Sequence, residues 1–179
     1  MTYYIEPTID RQKALKAMKQ YTSSLLLRIV ENKKRIESSE LVYLPFWMYE
    51  YHLKTTSLKE GINGRIAIES ITEQAAILPV DYPLKEGEAP GEMFSHSSPD
   101  PDKAKHALYW EAFGKEKKKK QINISLEEPS KLYLPYWVGY IKGNRREVYM
   151  VDGVTGKVDL PMKDSFLHHL KNQLKHSSI

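Results

Sequence analysis

The chain has 179 residues, enough for one compact domain or two small ones, and its 41% hydrophobic and 28% charged residues are ordinary for a globular protein. It contains no cysteine, which excludes disulfides, thiolate metal sites and a cysteine nucleophile together. The net charge of +4 is local: Lys115, Lys117, Lys118, Lys119 and Lys120, less Glu116, account for it, and the remainder of the chain is neutral by count.

The opening Met1-Thr2-Tyr3-Tyr4-Ile5-Glu6-Pro7 has no basic start ahead of an apolar run, and no apolar stretch approaches the length of a membrane span. The expectation is a cytoplasmic protein without a membrane span. Pro7 and Thr8-Ile9-Asp10 read as a helix start, followed by Ala14, Leu15, Met18, Tyr21 and Leu25 at helical spacing, with Ile29 and Val30 continuing the stripe. Residues 41–53 are rich in aromatic residues and read as a strand. Gly61-Ile62-Asn63-Gly64 is a turn, and 65–71 and 75–78 are strands that Pro79 ends.

Residues 80–101 hold Pro83, Gly87, Pro90, Gly91, Pro99 and Pro101, which is loop chemistry; 83–101 reads as a linker between units at 1–82 and 102–179. A helix starting near Asp100 or Asp102 carries Ala104, Ala107, Leu108, Trp110 and Ala112 into the lysine cluster. Strands follow at 122–126, 131–141 and 147–151. A tight turn spans Asp152-Gly153 and Thr155-Gly156-Lys157, ahead of a last short strand at 158–160. Phe166, Leu167, Leu170 and Leu174 mark a C-terminal amphipathic helix with Asp164 or Ser165 as its cap.

Two passages match. Tyr43-Leu44-Pro45-Phe46-Trp47 corresponds to Tyr133-Leu134-Pro135-Tyr136-Trp137, 90 residues on, and Ile71-Thr72-Glu73-Gln74 corresponds to Val154-Thr155-Gly156-Lys157. The expected fold is α+β: two pseudo-repeats, each a helix packed on an antiparallel sheet, plus the C-terminal helix. Proline cannot donate to a strand ladder, so Pro45 and Pro135 are expected at an edge or a bulge. Each Trp, two residues further on, reads first as a plug between sheet and helix, since large aromatics dominate core energetics. The alternative is a pair of matching aromatic pockets.

Residues 147–158, Glu-Val-Tyr-Met-Val-Asp-Gly-Val-Thr-Gly-Lys-Val, resemble the final hairpin of a PepSY-type repeat. That resemblance implies a helix on an antiparallel sheet with a regulatory or inhibitory role. The first copy departs from it, with Glu73-Gln74 in place of Gly-Lys. The Tyr-Leu-Pro-Tyr-Trp strand is also similar to stretches of uncharacterised bacterial proteins. Neither resemblance transfers a catalytic residue.

No serine elbow, phosphate loop or dinucleotide fingerprint occurs, and the histidines, including His168-His169, lack metal-ligand spacing. No cofactor or metal is expected. The twelve tyrosines are the functional signal, because Tyr and Trp offer large contact area at low entropic cost. The leading expectation is a non-enzymatic module that engages a protein or peptide through an aromatic sheet surface formed by Tyr43, Trp47, Tyr49, Tyr133, Trp137 and Tyr140. The alternative is nucleic-acid association through Lys115 and Lys117–Lys120, with Trp110 and Phe113 as stacking surfaces. A third is an enzyme whose site residues are distant in sequence.

Overall fold

The computed structural model describes residues 1–22, 35–115, 121–143 and 146–177. Its elements run β1 (Thr2–Tyr4), α1 (Arg11–Thr22), β2 (Arg35–Thr55), β3 (Ile62–Glu69), β4 (Ala75–Leu78), β5 (Lys85–Glu86), β6 (Glu92–Met93), α2 (Pro101–Lys115), β7 (Ile122–Leu126), β8 (Ser130–Lys142), β9 (Glu147–Asp152) and α3 (Met162–His176). The architecture is mixed α and β, with the described strands joined in one nine-stranded sheet. No helix among the described residues is long and apolar enough to cross a membrane.

The two Tyr-Leu-Pro-aromatic-Trp segments pair with each other. β2 and β8 run antiparallel with Leu44 opposite Leu134, flanked by Tyr43 opposite Pro135 and Pro45 opposite Tyr133. The other strands are arranged alike about this centre. On the outer edge of β2, β3 places Ile68 opposite Trp47; on the outer edge of β8, β9 places Val151 opposite Trp137. Two short parallel strands continue those edges, β6 beside Val42 and Tyr43 and β1 beside Leu132 and Tyr133. β4 extends β3 over four pairs, whereas the matching place on β9 holds a single bridge, Val151 to Val158.

The prolines lie in the two central strands and not at an edge. The Pro45 carbonyl accepts from the Ser70 amide and the Pro135 carbonyl from the Gly153 amide, so both carbonyls turn outward from the β2–β8 ladder. In a strand, N–H and C=O of one residue point the same way, so the missing donor also faces outward. There, β6 gives way to β3 beside Pro45, and β1 to β9 beside Pro135. A residue without an N–H costs no ladder bond at such a junction.

α1 and α2 cover one face of the sheet. Ala14 and Met18 of α1 pack on Trp137, Ile141, Tyr149 and Val151, while Ala104, Leu108 and Ala112 of α2 pack on Tyr49, Tyr51, Leu53, Ile66 and Ile68. The helix that precedes β2 therefore lies on β8 and β9, touching only the start of β2 through Ile36 and Leu41. The helix that precedes β8 lies on β3, β7 and the far end of β2. Asp10 accepts the Lys13 amide at 2.8 Å and Asp100 the Asp102 amide at 3.1 Å, supplying the helix starts with acceptors. The indole N–H of Trp137 donates to the Ile9 carbonyl and that of Trp47 to the Ser97 carbonyl, both at 2.8 Å. Each Trp thus closes a seam between sheet and helix.

The opposite face buries Val42, Leu44, Phe46 and Met48 of β2 with Leu132, Tyr136 and Val138 of β8, covered by Met162 and Phe166 of α3. α3 begins directly after Pro161 with no side-chain cap, and Ser165 is buried inside the helix instead of capping it. Residues 83–101 contribute β5 and β6 to the same sheet and bury Ala89 and Phe94.

The paired indoles give a direct test. Trp47→Phe and Trp137→Phe each remove one hydrogen bond and a ring's worth of packing, and each is expected to cost about 1–3 kcal/mol. The two seams share no side chain, so the double variant loses the sum in urea unfolding. A double variant no weaker than either single one would contradict the seam role.

Candidate functional site

The aromatic residues named from the sequence do not gather on one exposed face. Tyr43 and Tyr133 are buried together, Tyr49 lies under α2 beside half-buried Trp47, and Trp137 lies under α1. Half-buried Tyr140 packs against the opposite core and donates its hydroxyl to Glu40. Burial raises the Tyr140 hydroxyl pKa, and the bond to Glu40 raises it further. Tyr133 donates to the Phe94 carbonyl at 3.0 Å. These rings build the scaffold, as β2 and β8 are covered on both faces within the chain.

Sequence reasoning missed a buried polar cluster. Glu69 is 1% exposed at the end of β3. One carboxylate oxygen accepts the Ser165 hydroxyl at 2.6 Å and lies 3.5 Å from His169 Nε2; the other accepts the Ile71 amide and the amide and hydroxyl of Thr72. Burial works to raise the Glu69 pKa, but the bonds from His169, Ser165 and Thr72 outweigh it and hold the carboxyl at about 2. Serine and histidine both approach the carboxylate, and Ser165 donates to Glu69. Ser165 is fully buried, which denies a substrate access. The cluster ties α3 to β3. The periodicity of 166–174 was the only sequence signal near it, and it said nothing of Glu69. Nearby, His96 Nε2 bonds the Phe46 carbonyl at 2.9 Å between the rings of Trp47 and Tyr133, and burial pushes its pKa down to about 4.

At the register position where Glu69 lies opposite Phe46, the other half of the sheet has Asp152 opposite Tyr136. Asp152 Oδ1 likewise accepts two turn amides, Val154 at 2.8 Å and Thr155 at 3.1 Å. Here no helix closes over the carboxylate. A cleft of about 390 Å³ opens instead. Consecutive residues from Gln74 to Pro79 form one wall, with Asp152, Val154, Thr155 and Asp159 across from them and Phe46, Leu134, Tyr136 and Met162 within. The Tyr136 hydroxyl points at Asp159 Oδ2, 3.5 Å away. Burial, together with the neighbouring Asp152, raises the Asp159 pKa against a lowering bond from the Met162 amide. The cleft is apolar with two acidic groups at one end.

Outside this cleft, α2 shows a second exposed feature. Tyr109, Trp110 and Phe113 are 42%, 54% and 42% exposed, in mutual ring contact with His106 beside them. They lie opposite the buried stripe of Ala104, Leu108 and Ala112. Lys117–Lys120 fall outside the described residues, as does the side chain of Lys115. Among the described residues no cluster of His, Asp and Glu is arranged to hold a metal.

No family model, curated protein or solved structure matches this chain. The site is therefore read from its own geometry.

The Glu69 cluster sets the acid limit of the fold. With its pKa lowered from 4.5 to about 2, Glu69 contributes stability that is fully present above pH 4.5 and lost as pH falls toward 2, up to about 3 kcal/mol. His96, lowered from 6.5 to about 4, removes stability between those values as the unfolded chain takes the proton first. Glu69→Gln is expected to cost about 2–4 kcal/mol at pH 7 and to flatten the stability curve below pH 4.5, measured by urea unfolding from pH 2 to 7. Parallel curves for the variant and the parent would remove Glu69 from this role.

Proposed function

We propose that the protein is a non-enzymatic binding or regulatory module that takes a segment of a partner protein or peptide into the cleft between β4 and residues 152–159. One observation carries the reading. The cleft runs along a strand whose outer side pairs with no other described strand, over an apolar floor. The aromatic strands support it from beneath, since Phe46 and Tyr136 line the floor while Trp47 and Trp137 hold the helices behind the sheet. The lysine run lies outside the described residues, and the reading takes nothing from it.

The fold is read, in the same proposal, as two pseudo-repeats that exchange helices. Several matched details support this: Leu44 opposite Leu134, the two Trp-to-carbonyl bonds, and the outward prolines. Glu73 and Gly156 also share a left-handed backbone, with φ of 61° and 73°, in turns of the same hydrogen-bond pattern. The regulatory side of the reading rests on the resemblance of residues 147–158 to a PepSY hairpin. A duplicated scaffold with one position closed by a helix and its match left open is suited to holding a partner segment.

Ala76 is half-buried in the cleft wall, so Ala76→Trp fills the site from an edge strand without entering the core. In capture from nuclease-treated extract of the native host, a stoichiometric partner held by the parent chain is expected to be lost from this variant. The melting temperature should change by no more than a few degrees. Equal retention by both proteins, or none by the parent, would contradict the proposal.

A further inference from the structure

The occupant of the cleft can be specified further, on the reading just given. The Glu69 amide donates to the Gln74 carbonyl at 2.9 Å, which fixes the alternation of the β3–β4 ladder. Ala76 and Leu78 then direct their backbone groups to β3, and Ala75 and Ile77 direct theirs outward. Among the described residues no backbone group bonds Ala75 or Ile77 on that side. Such an edge is a template for one more strand.

Charge selects the occupant. Asp152 and Asp159 stand at one end of the cleft, and among the described residues neither has a Lys, Arg or His within 4.0 Å. Beyond Leu78, a second hollow of about 370 Å³ shares Tyr82 with the first. Glu50, Asp81, Glu127 and Glu128 border it, and its one cation, Arg65, is already held by Glu50 at 3.3 Å. Both hollows thus carry acidic residues, although the chain as a whole is basic. At the matching position Glu69 accepts the Ser165 hydroxyl and lies 3.5 Å from His169 of α3, while Asp159 meets the Tyr136 hydroxyl and the Met162 amide and Asp152 meets turn amides, with no cationic side chain of the described residues beside either.

We propose that the partner segment is an extended, basic peptide that adds as a strand to the outer edge of β4 and sets a lysine or arginine against Asp152 and Asp159. Backbone bonds to Ala75 and Ile77 supply affinity, the apolar floor takes one alternate side chain, and the two carboxylates select the cation.

The test uses random octapeptides displayed on phage and selected on the full chain. Enriched sequences are expected to carry Lys or Arg at one fixed position among alternating β-branched residues. For a synthetic peptide of that sequence, Ile77→Pro removes an outward amide without touching the β3 ladder. It should weaken binding at least about ten-fold. Asp159→Asn and exchange of the peptide's basic residue for Met should each do the same, and combining the two should cost little more than either. The peptide exchange keeps the test open if Asp159→Asn disturbs the fold. Peptides that need an open cleft, lost with Ala76→Trp, but show no basic position or bind Ile77→Pro unchanged would overturn this inference and leave the binding reading standing. No enrichment, or peptides indifferent to Ala76→Trp, would overturn both.

Discussion

The structure depends on the antiparallel ladder between β2 and β8. It sets Leu44 against Leu134 and makes one sheet of what would otherwise be two small ones. Strand pairing of this sequence separation is costly in chain entropy, and burial on both faces offsets it. On one face Leu44, Phe46, Leu132 and Val138 form a single apolar layer; on the other the two Trp seams anchor α1 and α2. α1 then rests on β8, β9 and the start of β2, and α2 on β3, β7 and the far end of β2. The prolines fit the same constraint, for they leave the central ladder intact and mark where one outer strand hands over to another.

Two matching places in the sheet differ in what covers them. The turn after β3 and the turn after β9 have the same hydrogen bonds, built on an acidic residue opposite Phe46 in one and Tyr136 in the other. Only the first is sealed, by Ser165 and His169 of α3. The sealed carboxyl is worth stability. The open one lines a largely apolar cleft beside the outer edge of β4.

Much of this fold was legible in the sequence, for particular reasons. Alternating aromatic and aliphatic residues gave the central strands, the Trp spacing pointed to seam plugs, and Gly156 marked the last hairpin. Residues 80–101 read as loop because their prolines and glycines dominate, yet two-residue strands need no periodicity and leave no such trace. The placement of α1 on β8 and β9 was hidden because the stripe of Ala14 and Met18 says that a helix is buried, not on which strands. Glu69 was silent since the donor that buries it beneath α3 lies 96 positions away in Ser165. The candidate site was the least legible part. It is defined by an unpaired edge and an uncovered turn, and both arise only when distant segments assemble.

The account stands or falls on the β2–β8 pairing and the helix placement it enforces. Nuclear Overhauser contacts in solution test it most directly. The register predicts close Hα protons between Tyr43 and Pro135 and between Pro45 and Tyr133, with the Met18 methyl against the Trp137 indole. Absence of those Hα contacts, with the Met18 methyl found against Trp47, would mean that each helix packs on its own strands, and the joined sheet and its open groove would fall with it.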